Sequence, residues 1–358
     1  MSTKTAKLNI KVSFFLTVWY NIFIKLLLEA AMIKISKNKD KDFKILNLTD
    51  VHTENHELSE DSVKLRILKS TVTELVSKIK PDLITISGDM AWGGSFEAYE
   101  MLTEFMESFN TPWSIVWGNH DQEKGYEVLE KTEEIFSKGK HFLYEQGPKE
   151  LGRGNFVIAI CEDDKIVEGL IMMDTHNRVK YVNKDGNEDW GWGKLYPEQF
   201  GWYKENVCKL TDLGCKETTI IVHQPIYAYN HARDVAYKEG LDTRKLDLKT
   251  SYTDEYWNEE YKGSFGINCE DVCCFKEDDG FFDLVCKLGS TKTVIAGHDH
   301  VNCSCIRYKG VRLTYGLKTG MGAYWRPEMN GGTVLTVTSE GITDIKHEFV
   351  DPTEWIKE

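Results

Sequence analysis

From residue 43 onward, short apolar runs rich in β-branched residues alternate with longer segments of helical period: 43–48, 61–79, 83–87, 96–109 and 113–117. Short apolar runs between turn signals predict buried strands, and apolar residues three and four apart predict helices facing a core. This half of the chain therefore predicts a βαβαβ order, with Ser59, Glu60 and Asp61 as a helix start and Pro81 closing the link to the next strand. Further on, 156–160, 170–173, 218–222, 293–296, 311–315 and 332–337 predict strands, with helices at 197–210 and 280–288. Helices early and strands late predict an α/β chain with two sheets packed together and helices outside. Residues 228–278 mix charges and aromatics without a period and predict an insertion or long loop beside a site. Tyr227, Tyr229, Tyr252, Tyr256 and Trp257, in and beside it, serve either specificity or loop packing.

The first 42 residues follow another pattern. Residues 12–33 are almost continuously apolar, long enough for the ~20 residues that cross a bilayer, and Lys4, Lys7 and Lys11 precede them. On a helix, however, Thr17, Asn21, Lys25 and Glu29 form one polar stripe. A central lysine costs roughly 2.5 to 3.5 kcal/mol to insert and each Leu, Ile or Phe returns only about 0.3 to 0.6, so hydropathy is balanced. Three arrangements fit: a membrane anchor, an interfacial helix, or a helix packed on the globular domain, which leaves the chain either membrane-associated or cytoplasmic. No clear small-residue cleavage site follows Ala30 and Ala31, against a removed signal peptide. Residues 36–42 (SKNKDKD) predict a charged linker, giving an N-terminal segment 1–42, a globular domain 43–350 and a tail 351–358.

Charge narrows the function. The 57 acidic and 44 basic residues leave a net charge of -13, so no global field gathers nucleic acid and a dedicated nucleic-acid binder is not expected. The nine cysteines, an odd number without repeated CxxC spacing, exclude a complete disulfide framework and a zinc ribbon. The pairs Cys273–Cys274 and Cys303–Cys305 are redox candidates among thiols expected to be reduced and buried.

Polar residues then recur where predicted strands end. The first strand runs into Asp50 and His52, which point the same way if the strand continues. The second ends in Gly88-Asp89, where the glycine makes room for backbone to approach a metal. The third ends in Gly118-Asn119-His120-Asp121, and later strands end in His223 and in Gly297-His298-Asp299-His300. In open α/β sheets ligands bind at this carboxyl edge. Singly each motif is commonplace; five in order are not. His56, His141, His231 and His347 are expected at the surface, and His176 in a surface loop or lining the cleft.

The ordered set DxH, GD, GNHD, His and GHDH resembles the calcineurin-like metallophosphoesterase superfamily. The closing stretch, with YGLKTG at 315–320, is similar to the branch of small purple-acid-phosphatase-like and fungal phosphoprotein phosphatase-like proteins. The resemblance covers 43–350 and implies a four-layer α/β/β/α sandwich of two mixed sheets flanked by helices. It further implies that Asp50, His52 and His300 bind one metal, Asn119, His223 and His298 another, that Asp89 bridges both, and that His120 faces the substrate as an acid. Two departures stand out. Purple enzymes carry Tyr where this chain has Trp92, so no purple colour is expected. Gly88-Asp89-Met90-Ala91-Trp92 also lacks the Asp that orients the catalytic His of calcineurin-type phosphatases, a role left to Asp121.

Mixed nitrogen and oxygen ligands suit two divalent or trivalent ions of iron, zinc or manganese better than calcium. The expectation is a metal-dependent phosphatase acting on a phosphoprotein or small phosphate ester, with His120 as general acid. A phosphodiesterase or nucleotide hydrolase on the same cluster, and a non-catalytic scaffold of the same fold, are the alternatives.

Overall fold

The computed structural model describes residues 32–238 and 263–356. Five strands form one sheet in the order β14 (Gly341–Phe349), β13 (Gly331–Thr338), β2 (Phe43–Leu48), β3 (Leu83–Ser87) and β4 (Trp113–Val116). Seven form a second sheet: β1 (Ile33–Lys37), β5 (Phe156–Glu162), β6 (Lys165–Met172), β9 (Thr218–Ile221), β10 (Thr291–Ala296), β12 (Val311–Tyr315) and β11 (Cys305–Tyr308). Both are mixed: β2, β3 and β4 run parallel with β13 antiparallel to β2, while β6, β9, β10 and β12 run parallel with β5 antiparallel to β6. β7 (Arg178–Val182) and β8 (Glu188–Trp192) make a separate antiparallel hairpin.

Side-chain alternation explains the layers. In β2, Phe43 and Ile45 enter the core between the sheets while Leu46 and Leu48 face helices; in β9 and β10, Ile221 and Ile295 enter the same middle core while Ile220 and Val294 face outward. Strands buried on both faces need apolar residues at successive positions, which is why they read as continuous apolar runs. Helices α1 (Val63–Ile79), α2 (Phe96–Glu107) and α3 (Tyr126–Phe136) cover the five-stranded sheet through Leu68, Leu75, Leu102 and Phe136. Helices α4 (Pro197–Asp212), α5 (Ala228–Lys238) and α6 (Phe281–Leu288) cover the other through Tyr203, Leu210, Ala232 and Phe281. The result is the four-layer α/β/β/α sandwich.

The elements depart from the sequence expectation in several places. Ser36 and Lys37, expected in the linker, lie in β1, where Ile33 pairs with Ile158 and the buried Lys37 Nζ meets Glu162 Oε2 at 2.5 Å, so the globular unit starts before residue 43. Helix α1 starts at Val63 rather than residue 61, because Ser62 Oγ accepts the Leu65 N–H at 3.3 Å. The expected loop at 228–278 opens with α5. The apolar stretch 12–33, up to residue 31, and Tyr252, Tyr256 and Trp257 lie outside the described residues. Among the described residues no helix is long and apolar enough to cross a membrane.

One buried carboxyl joins the two sheets. Glu168 on β6 accepts from Thr219 Oγ1 at 3.0 Å and from the Ile342 N–H of β14 at 3.3 Å. Burial, reinforced by the nearby Glu217, pushes its pKa from 4.5 up to about 8. A carboxyl raised on folding binds its proton more tightly in the native state, so its contribution is complete below about pH 4.5 and lost as pH rises through about 8, at about 1.4 kcal/mol per pH unit in between. Urea unfolding at pH 5 and pH 8 is expected to give a smaller loss of stability for Glu168→Gln than for the unmodified chain; equal losses would mean that Glu168 titrates normally.

Candidate metal centre

The loops after β2, β3 and β4 meet those after β9 and β10 at one edge of the sandwich. Strand β2 ends at Leu48, so Asp50 and His52 do not converge by strand alternation as expected. Both instead have left-handed backbone, with φ 54° and 51°, as do Asp89 at 52° and His298 at 73°. Asp and His tolerate this region better than most residues, yet such positions persist only where neighbours fix them. The Asp50 N–H donates to Gly88 O at 3.1 Å and the His52 N–H to Asp89 O at 3.0 Å. The buried Lys318 Nζ donates to Asp50 O at 2.6 Å, and the His298 N–H donates to Asp50 Oδ2 at 3.0 Å. Glycine is required at the crossings: a Cβ on Gly88 would lie 2.4 Å from His223 Nδ1, and one on Gly118 would lie 2.1 Å from Asp89 Oδ1. The space at Gly88 thus serves the His223 ring.

All seven expected ligands come together, and all are buried. Asp50, His52, Asp89 and His300 form one group that could hold a metal ion, and Asp89, His223 and His298 a second, each with its donor atoms within 4.8 Å of one another. Asn119 joins the second through Oδ1, 3.0 Å from His223 Nε2. Second contacts fix the rings. His300 Nδ1 donates to Tyr324 O at 2.8 Å and His223 Nδ1 to Ser87 O at 2.8 Å, which turns both Nε2 lone pairs inward. His300 Nε2 then faces His52 Nε2 at 3.0 Å and Asp50 Oδ1 at 3.3 Å, and His223 Nε2 faces Asp89 Oδ2 at 3.3 Å. Asp89 Oδ2 also lies 3.5 Å from His52 Nε2, and neither it nor His298 Nε2 has a hydrogen-bond partner.

Acceptors crowded this closely in a buried site need positive charge between them. With protons alone, burial lowers His223 but Asp89 outweighs it and pushes it up to about 10, while burial and His223 hold His298 down to about 3. A pair of cations would supply that charge to both groups at once, and the nitrogen and oxygen donors fit divalent or trivalent transition ions.

A family model described as calcineurin-like phosphoesterase matches residues 43–302. The chain belongs to the calcineurin-like phosphoesterase family. It is 27% identical over 320 residues, 81% of this chain and 75% of the relative, to a probable inactive purple acid phosphatase 29 of Arabidopsis thaliana. Over 336 residues, 84% of this chain and 51% of the relative, it is 25% identical to phosphatase DCR2 of Saccharomyces cerevisiae. A probable cyclic nucleotide phosphodiesterase of Xenorhabdus bovienii is 33% identical over 131 residues, 35% of this chain and 49% of that protein.

In this calcineurin-like phosphoesterase His120 stands beside the cluster, its ring 5.2 Å from that of His52 and 4.1 Å from that of Trp92. Asp121 does not orient it. The Asp121 carboxylate is buried on the other side of the loop, accepting from the N–H groups of Asp89 (2.9 Å), Met90 (3.1 Å), Ala91 (3.2 Å) and Gly118 (2.8 Å) and from Tyr99 Oη (2.8 Å). Burial and the Asp89 charge outweigh these donors and raise its pKa from 3.8 to about 7. The partner of His120 Nδ1 is Glu123 Oε1, at 2.5 Å. Sequence reasoning missed Glu123, although an acid three residues after the histidine was the signal available. Nothing in the sequence marked Trp192 and Tyr324, whose rings lie 4.5 Å from His298 and 4.2 Å from His300.

His176 lies near the site but bonds to Gln199 Oε1 at 3.1 Å, and His347 has both ring nitrogens engaged, by Thr333 Oγ1 and Cys303 O, instead of standing free at the surface. All nine cysteines are free thiols. Burial pushes Cys274 and Cys303 up to about 12 and Cys305 up to about 11, which keeps them protonated and unreactive. Asp121→Asn puts an amide N–H against a ring of donors, and unfolding by urea is expected to reveal a loss of about 1 to 3 kcal/mol. A loss under about 1 kcal/mol would contradict the clamp role of Asp121.

Proposed function

We propose that this chain is a binuclear metal phosphatase that hydrolyses phosphomonoesters, either on a phosphoprotein or on a small phosphate ester. The observation that carries the reading is the unpartnered Asp89 Oδ2, common to both donor groups. Asp50, His52 and His300 would hold one ion of iron, zinc or manganese, Asn119, His223 and His298 the other, and Asp89 both. When bound, such a pair lowers the pKa of water towards neutrality and neutralises phosphoryl oxygens during in-line displacement.

The residues around the pair divide the remaining work. His120, half-buried and held against Trp92, presents Nε2 to the leaving-group oxygen, because Glu123 engages Nδ1. It is the general acid in this reading. The Tyr324 ring stacks on His300, and the rings of Trp92 and Trp192 pack against His52 and His298. The word inactive belongs to the names of the plant relatives; here every ligand position of the motif is filled. A phosphodiesterase is the second reading, supported by the 131-residue likeness to the probable cyclic nucleotide phosphodiesterase.

Elemental analysis alongside turnover of p-nitrophenyl phosphate and bis-p-nitrophenyl phosphate tests the proposal. The expected result is two metals per chain, preference for the monoester, and loss of both metals in Asp89→Ala. Preference for the diester would favour the second reading. A chain that stays metal-free and inert with added manganese, iron or zinc would favour a scaffold. His120→Ala is expected to keep its metals and lose roughly a hundred- to ten-thousand-fold in kcat. Glu123→Gln should lower kcat more for glycerol 2-phosphate, whose leaving oxygen needs a proton, than for p-nitrophenyl phosphate; equal losses would remove Glu123 from the proton-transfer step.

A further inference from the structure

A cavity of about 440 Å3 opens where the N-terminal ends of α3 and α4 approach the start of β7. Small-molecule sites occupy roughly 300–1,000 Å3, so this volume suits a compact ligand better than a folded partner. Two routes lead from its lining toward the metal centre, although no ligand residue lines it. Arg178 lines the cavity and lies 4.5 Å over the ring of Trp192, which itself packs 4.5 Å from His298. Gln122, two residues beyond His120, lines it from the β4–α3 loop and is tied through Nε2 to Asp174 Oδ1 at 2.9 Å.

The lining has a definite chemistry. Tyr126 and Tyr196 supply two aromatic rings, and Tyr126 is 53% exposed with Arg153 5.7 Å from its ring. Formal charges cancel: Lys149 and Arg178 are matched by Glu150 and Glu198. A neutral lining in a chain of net charge -13 does not select an acidic peptide or a polyanion. Asn177 and Gln122, the latter held by Asp174, add neutral amide groups to the lining. The wall is also rigid, since the buried Gln199 donates from Nε2 to Asp174 O at 2.8 Å and accepts the Tyr196 N–H at 2.9 Å. Flat rings for stacking, neutral hydrogen-bonding groups and one cation on the side of the metals match a planar heterocycle joined to a phosphate.

We infer that this cavity receives the nucleoside part of a phosphomonoester, with the base stacked on the tyrosine rings and the phosphate directed past Arg178 to the metal centre. The inference rests on the phosphatase reading for the position of the phosphate, but not for binding of the nucleoside. Adenosine carries no phosphate and so probes the cavity alone. Its binding to the full chain, followed by calorimetry, is expected to be similar for the unmodified protein and Tyr126→Phe, and at least about tenfold weaker for Tyr126→Ala and Tyr196→Ala. In the same variants the ratio of kcat/KM for AMP to that for glycerol 2-phosphate, which has no ring, should fall at least about tenfold for the alanine substitutions only. Adenosine that fails to bind the unmodified chain at millimolar concentration, or binds all four proteins equally, would overturn the assignment. Failure to hydrolyse glycerol 2-phosphate would instead count against the phosphatase reading, leaving the adenosine result to stand or fall separately.

Discussion

Asp89 follows β3 of the five-stranded sheet, yet its Oδ2 lies 3.3 Å from His223, which follows β9 of the seven-stranded sheet. Neither sheet holds a complete set of donors. The loops after β2, β3 and β4 bring Asp50, His52, Asp89 and Asn119; those after β9 and β10 bring His223, His298 and His300. The centre therefore exists only when the two sheets pack in one register, and that register is set by the middle core of Phe43, Ile45 and Leu335 against Ile158, Ile221 and Ile295. Close-packed interiors resist sliding, so the core transmits its precision to the sheet edge.

The same edge is where the fold is locally strained. Four of the seven donor residues have left-handed backbone, and each is tied by hydrogen bonds from its neighbours. Asp121 carries much of this burden, gathering the N–H groups of Asp89, Met90, Ala91 and Gly118 around one carboxylate. Buried carboxylates and inward lone pairs oppose folding unless a positive charge joins them, so binding of ions at this cluster would stabilise the fold.

Much of this was legible in the sequence. The apolar runs ahead of Asp50, Asp89, Asn119, His223 and His298 identified the five strand ends, because strands buried on both faces leave an unbroken apolar signature. What escaped were features without such a signature. β1 is an edge strand in which Ile33 and Ile35 alternate with Lys34 and Ser36, so it merged with the charged segment that follows. β11 has only four residues, and the β7–β8 hairpin is mostly polar and exposed. Helix α3 did carry a signal, with Leu129, Thr132, Ile135 and Phe136 on one buried face. Both Asp121 and Glu123 stood in the sequence as acids close behind His120, but only the turn of the loop decides which one reaches its ring.

The central claim is that one carboxylate serves two ions. Anomalous diffraction from crystals grown with manganese tests it most directly: two peaks flanking Asp89, one toward His52 and His300 and one toward His223 and His298, are predicted. A single peak, or peaks that leave the Asp89 carboxylate without a metal contact, would contradict it.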